Sequence, residues 1–203
     1  ESSPVSTFNS GNQILLNASG SLQIDNRILT YMDNQWKAEN EFSWSDITGK
    51  TNITALYPVY PDLDYIQENL YKNNSLEDIL YVKDEFPAGN SIHLQFKHLF
   101  SLLTLYLDRD LQTNLQKIEI TCPAVSSIIP KSAEIVPADN ETHTTTIAQV
   151  SPSGNYSFIV PPVKNMVIAI NMVTNGKKYT TQLETKSFTG NKEYTYHLDR
   201  RAH

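Results

Sequence analysis

The chain has 203 residues and a formal charge of −6, with 39% hydrophobic and 19% charged side chains. That apolar content, with 11 Tyr and 7 Phe, excludes a disordered chain, and the acidic balance offers no basic surface for nucleic acid or an anionic membrane. No stretch approaches the roughly 18 apolar residues of a spanning helix; the densest, Leu99 to Leu107, is interrupted by Ser101 and Thr104.

The N-terminus, Glu1-Ser-Ser-Pro-Val-Ser-Thr, is polar and lacks the charged start and apolar run of a signal peptide. Beyond it, short alternating or β-branched segments separated by Asn, Gly, Pro and Ser recur, as in sandwiches and barrels. Strands are expected at Gln13–Asn17, Ile28–Met32, Thr51–Tyr57, Ser91–Phe96, Leu99–Leu107, Gln116–Thr121, Thr144–Val150, Tyr156–Val160, Met166–Val173, Lys178–Leu183 and Glu193–Leu198. One helical stretch is expected between Asp62 and Leu80, where Leu63, Ile66 and Leu70 share a helical face and Ser75-Leu-Glu-Asp78 resembles a capping box. The charged, Pro- and Gly-containing run Lys83 to Asn90 reads as a boundary between two β units, which divides the chain near Gly89 into residues 1–89 and 90–203.

Cys122, the only cysteine, sits in a strand-like segment and reads as a buried thiol, which leaves no disulfide framework and no cysteine zinc site. Pro123, Pro130 and Pro137 make the segment from Cys122 to Asp139 an edge or a loop, and Pro161-Pro162 ends the strand before it. Asn175-Gly176 tolerates the positive φ angles of a type I′ turn, so the segments on either side form a hairpin.

No catalytic constellation is visible. His93, His98, His143, His197 and His203 have no metal-ligand spacing, and His93 and His98 fall on opposite sides of any continuous strand. Glycine-rich phosphate loops and the nucleophile elbow are missing. The carboxylates at Asp62, Asp64, Glu77-Asp78 and Asp84-Glu85 show no spacing that sets an acid and a base across a cleft, and read as solvated charge. Asp108-Arg-Asp110 reads as a strand-end turn rather than a calcium loop. Trp36, Trp44, Tyr57 and Tyr60 could stack on sugar rings. Trp36, Phe42 and Trp44 have even spacing, however, which places them on one side of an extended strand and suits a sandwich core as well.

Four segments taken in order resemble the fimbrillin (Mfa-like) family, the subunits of type V pili of anaerobic Gram-negative bacteria, and the resemblance covers most of the chain. They are Trp36 to Trp44 leading through Asp46-Ile-Thr-Gly-Lys50 into Asn52-Ile-Thr-Ala-Leu-Tyr-Pro58; Asp78-Ile-Leu-Tyr81; Leu94-Gln-Phe-Lys-His-Leu-Phe-Ser-Leu-Leu-Thr-Leu105; and Gly190-Asn-Lys-Glu-Tyr-Thr-Tyr196. The resemblance implies an all-β chain of two tandem transthyretin-like Greek-key β-sandwiches with a short helical connection. It implies no enzymatic activity and no cofactor. It further implies export through a lipoprotein signal removed before Glu1, display at the outer membrane on a lipid anchor outside this sequence, and polymerisation with other fimbrial subunits by strand addition.

In that scheme a protease removes an N-terminal strand after an arginine. Arg27 lies at about the corresponding position, and its plainer reading is an exposed arginine in a turn between two strands. The Tyr194–Leu198 strand is a candidate donor. His98 falls in the family-like motif, where it reads as a buried imidazole bonded to backbone. Two roles fit these features: a structural or adhesive subunit of a fimbria, and a stand-alone surface lipoprotein that binds carbohydrate or another host or bacterial surface ligand through its aromatic rings.

Overall fold

Short β-branched stretches with turn residues between them can satisfy their backbone only by pairing with one another. The computed structural model, which describes residues 7–40, 48–89, 91–162 and 164–199, is accordingly almost all β. A six-stranded sheet is built from β1 (Gln13–Gly20), β2 (Ile24–Met32), β3 (Gln35–Ala38), β4 (Thr51–Tyr57), β7 (Leu80–Phe86) and β8 (Lys97–His98), in the order β3-β2-β1-β4-β7-β8. Between β4 and β7 lies a small hairpin of β5 (Tyr71–Lys72) and β6 (Ser75–Leu76). The rest forms two sheets. Four strands run in the order β11-β10-β13-β14: β10 (Leu115–Ile129), β11 (Glu134–Ile147), β13 (Lys164–Thr174) and β14 (Lys177–Ser187). Three run in the order β12-β9-β15: β9 (Ser101–Leu107), β12 (Asn155–Val160) and β15 (Glu193–Leu198), with β15 parallel to β9.

Period-two burial makes these two sheets a sandwich. Leu103, Leu105 and Leu107 of β9, Tyr156, Phe158 and Val160 of β12, Ile118, Ile120 and Cys122 of β10, and Ile168, Ile170 and Met172 of β13 meet in one apolar cluster. The six-stranded sheet is covered on both faces. Ile14, Leu16, Ile53, Ala55 and Val82 fill one cluster. On the other face Leu15 and Leu56 join Tyr60, Tyr65, Leu70 and Leu76, together with Val125, Ile128 and Ile159 from the sandwich. That shared cluster fastens the sheet to the sandwich.

Three two-residue hairpins use one turn chemistry. Asp33-Asn34, Asn73-Asn74 and Asn175-Gly176 all have positive φ, and they join Met32 to Gln35, Lys72 to Ser75 and Thr174 to Lys177. Asn and Asp accept this conformation because their short side chains can bond locally, and Gly because it has no Cβ. At Gly20 (φ +108°) an added Cβ would lie 2.6 Å from the Lys50 carbonyl oxygen, so the end of β1 needs glycine to pass that backbone.

Several expectations are corrected. The helix expected over Asp62 to Leu80 is a 3-10 turn at Pro61–Leu63, one helical turn α1 (Gln67–Leu70) and the β5–β6 hairpin. Asp62 (φ 58°) and Leu63 (φ 57°) break any helix at its start, and the Asn73-Asn74 turn ends it. Of the apolar residues that suggested a helical face, Leu70 is buried and Leu63 partly buried, but Ile66 is 42% exposed. Residues 91–96 form no ladder, although their burial alternates as expected and Ile92, Leu94 and Phe96 pack on the six-stranded sheet. The proline-rich segment after Cys122 is the continuation of β10 and the start of β11. Pro123 and Pro137 are accommodated beside register shifts, and β11 is an edge strand. The strand-end turn expected at Asp108-Arg-Asp110 is present: Asp108 follows β9 directly and opens a single helical turn, α2 (Arg109–Gln112). Arg27 lies inside β2 rather than in a turn.

Candidate functional site

Strand β1 fills the middle of the six-stranded sheet. It lies between β2 and β4, pairing Gln13↔Thr30 through Leu16↔Arg27 on one side and Leu15↔Leu56 through Gly20↔Thr51 on the other. Its sequence Ile14-Leu-Leu-Asn17 is buried throughout, with Ile14 and Leu16 facing one cluster and Leu15 the other. Asn17 is only 4% exposed. Its Oδ1 accepts the Asn26 backbone N–H at 2.9 Å, which closes the bulge where the β1–β2 register shifts.

Arg27 is half-buried, and its Nη1 donates to the Asn40 carbonyl at 3.1 Å. Strand β3 pairs only with Leu29–Met32. The Arg27–Ile28 bond therefore lies just before the stretch of β2 that β3 covers.

The aromatic candidates separate. Trp36 and Tyr57 converge on Phe8, with ring centroids 5.0 and 5.2 Å from it and near-perpendicular planes, and Phe96 (5.0 Å) and Tyr31 complete the group. Such edge-to-face contacts are those of packed rings. Tyr60 is 3% exposed, crosses Tyr65 at 5.1 Å and donates its hydroxyl to Glu77, so its ring packs protein and not a ligand. Burial and the Glu77 carboxylate raise its phenol far above the usual range. Burial likewise raises Tyr65, whose hydroxyl donates to the Pro58 carbonyl at 2.6 Å. Trp44 and Phe42 lie outside the described residues. Phe8, the ring at the centre of the group, carried no signal in the sequence because its partners come from four distant segments.

His98 is partly exposed, and its Nδ1 lies 2.9 Å from both carboxylate oxygens of the buried Asp78, not against backbone as expected. The His98 backbone N–H donates to Asn191 Oδ1 at 3.0 Å. The pair lines a cavity of about 180 Å³ with Ser101, Lys192 and Glu193, and ties the edge of the six-stranded sheet to the segment entering β15. Asp78 and His98 each lie in a family-like segment, but their pairing was not legible across 20 residues. A larger polar cleft of about 460 Å³ lies between β1, β4 and the β10–β11 turn, where Asn17, Asn52 and Thr54 face Lys131 and Ser132. There the Lys131 ammonium, 3.0 Å from Asp25, holds that carboxyl below its ordinary range. The Thr54 hydroxyl donates to the Lys131 carbonyl at 3.1 Å.

Cys122 is 7% exposed on the inner face of β10, and burial pushes its thiol up to about 12, far from nucleophilic reactivity at neutral pH. Among the described residues no three His, Cys, Asp or Glu side chains gather to hold a metal ion, and no helix is long and apolar enough to cross a membrane.

The fold and the placement of β1 define an all-β sandwich protein whose N-terminal sheet takes its central strand from the start of the described chain. The chain belongs to the Fimbrillin-like family, which matches over residues 5–201. That family is one of cell-surface proteins, structural and adhesive rather than enzymatic. Solved structures share the fold. A candidate cell adhesion protein from Bacteroides uniformis is 12% identical with a TM-score of 0.67, over 96% of this chain and 89% of that one. A second, from Bacteroides ovatus, is 14% identical with a TM-score of 0.59, over 94% and 82%. A fimbrial protein from the same species is 14% identical with a TM-score of 0.54, over 96% of this chain but only 44% of that one. No curated protein matches the sequence.

Proposed function

We propose that the protein is a structural or adhesive subunit of a fimbria that assembles with other subunits by strand exchange. The carrying observation is β1: a strand paired to β2 on one side and β4 on the other, buried from Ile14 to Ala18, whose chain runs into the rest of the sheet through Arg27 in β2. Scission after Arg27 frees β1 and the first half of β2 together. The groove left between the rest of β2 and β4 presents unpaired backbone and the apolar side chains Ile53, Ala55 and Leu56, a costly surface that an incoming strand with alternating apolar residues covers again. Strand β15 is a donor candidate. It is an edge strand whose Tyr194, Tyr196 and Leu198 alternate inward, and it would have to leave β9 to serve another subunit.

Within this reading the chain comprises an acceptor unit, residues 1–89, and a second unit, residues 90–203, whose short β8 returns to the acceptor sheet. Support comes from the two separate apolar clusters. Export by a lipoprotein signal and anchoring at the outer membrane belong to the same proposal. The carbohydrate-binding alternative has less support, because Tyr60 is buried and Trp36 and Tyr57 already pack against Phe8.

The test is limited digestion of the folded protein with an arginine-specific protease, followed by mass spectrometry and size-exclusion chromatography. A single cut after Arg27 with growth of ordered oligomers is expected. A folded protein that is cut there and stays monomeric, with the 1–27 fragment still bound in the presence of excess uncut subunit, overturns the assembly mechanism.

A further inference from the structure

The sandwich carries a second edge suited to pairing, and it shares no residue with the strand-exchange region. Strand β14 ends the four-stranded sheet, and among the described residues no strand pairs with its outer edge. Edges are usually blunted by proline, by bulges or by brevity. The opposite edge is blunted in this way, for β11 contains Pro137 and pairs with β10 through two register shifts. In contrast, β14 has 11 residues, contains no proline and keeps an unshifted register with β13 from Met166↔Thr185 to Thr174↔Lys177.

Its side chains alternate cleanly. Tyr179 and Leu183 lean on the sandwich core, beside Met172 and Ile168 of β13. Lys178, Thr180, Gln182 and Glu184 are exposed on the outer face, where the Thr180 hydroxyl donates to Asn171 Oδ1 at 2.7 Å. Among the described residues neither Lys178 nor Glu184 has an ion-pair partner in its own chain.

A second copy added antiparallel about a two-fold axis normal to the sheet keeps both cores on the same side. Directly opposed residues must then both point inward or both outward, so the axis has to pass through a residue position. Centred on Thr181, the pairing places Lys178 opposite Glu184 of the second copy, Thr180 opposite its Gln182, and Tyr179 opposite its Leu183. Symmetry makes each of these pairs twice. Centring on Thr180 or Gln182 instead loses both the charge pair and the Tyr–Leu pair. Cross-strand pairs of opposite charge and of aromatic with aliphatic side chains are those that stabilise antiparallel ladders, and like charges in the same place oppose them.

We propose that the outer edge of β14 is an isologous interface with a second copy of this chain, in the Thr181-centred register, giving a continuous eight-stranded sheet across two subunits. It joins subunits side by side and requires neither cleavage nor release of β1.

The test uses the uncut protein and its charge-reversed forms in sedimentation velocity over a concentration series, with far-UV circular dichroism to show that each is folded. The wild type is expected to dimerise with increasing concentration. Lys178→Glu and Glu184→Lys each set like charges opposite one another twice, and each weakens dimerisation by about tenfold or more. Restoration follows when both changes are made in one chain, and also when the two single variants are mixed, because each mixed pair again opposes Lys to Glu. A wild type that stays monomeric at every concentration, single variants that dimerise as the wild type does, or folded double and mixed samples that remain monomeric would each overturn the proposal.

Discussion

The central strands of the two halves hold similar positions and differ in how the chain supplies them. In the sandwich, β10 lies between β11 and β13, and the chain continues from both of its ends into further strands of the sandwich, β9 by way of α2 at one end and β11 at the other. Freeing it takes two cuts and dismantles the core. In the six-stranded sheet, β1 is likewise paired between β2 and β4, and under the proposed function a single cut beyond it releases it. On the proposed reading, connectivity rather than burial or pairing separates a permanent strand from a replaceable one.

Substitutions in the two halves should separate them. The largest effect is expected from Leu16→Asp, which places a carboxylate among Ile14, Ile53 and Val82 and costs on the order of 4 kcal/mol. Hydrogen exchange should then show β4 and β7 unprotected while β10 and β13 keep their protection; uniform loss would mean that the halves unfold as one. Leu105→Ala in the sandwich core removes a fully buried side chain, at about 3 kcal/mol. Because the cluster containing Leu15, Leu56, Val125 and Ile159 leans on the sandwich, urea unfolding of this variant should carry the six-stranded sheet with it in one transition. The dependence is expected to run in that direction only.

A smaller effect comes from pH. The Cys122 thiol has an ordinary value of 9.0 and is pushed up to about 12 by burial in β10. Its neutral form is favoured in the folded state, so its contribution is complete below pH 9 and is lost as pH rises from about 9 towards 12. Stability of the wild type should fall by about 1 kcal/mol per pH unit just above pH 9, and the fall should be shallower in Cys122→Ala. Tyr71, pushed up to about 12 by burial, adds to the decline only above its ordinary value of 10.0. The smallest change is expected at the exposed Lys50–Glu85 pair, 3.1 Å apart beside the end of β1. Lys50→Ala should move the urea midpoint by no more than about 0.5 kcal/mol, and a larger shift would give that surface contact a part in retaining β1.

Much of the all-β character was legible because strand burial has a period of two and turn residues have their own chemistry. Asn175-Gly176 fixed its hairpin from sequence alone, and Asp33-Asn34 and Asn73-Asn74 follow the same rule. The segment from Asp62 to Leu80 reads as a helix because Leu63, Ile66 and Leu70 fit a helical face, but the Asn73-Asn74 turn breaks it with a hairpin. Residues 91–96 show that alternation reports burial rather than pairing: Ile92, Leu94 and Phe96 face inward, but the segment forms no ladder. The candidate site was legible only in part. Gln13–Asn17 reads as a strand, but its place between β2 and β4 depends on contacts with Thr51–Tyr57, which local pattern does not encode. The position of Arg27 inside a paired strand was hidden for the same reason.

The claim that β1 is replaceable is tested most directly by cutting the folded protein after Arg27, removing the released fragment, and adding a labelled peptide of residues 13–20. Bound peptide is measured by fluorescence anisotropy and backbone protection by hydrogen exchange. Stoichiometric binding that restores protection to Thr51–Tyr57, with the sandwich protected throughout, is the expected result. Peptide that does not bind, or a cut protein whose sandwich strands lose protection together with β4, would contradict it.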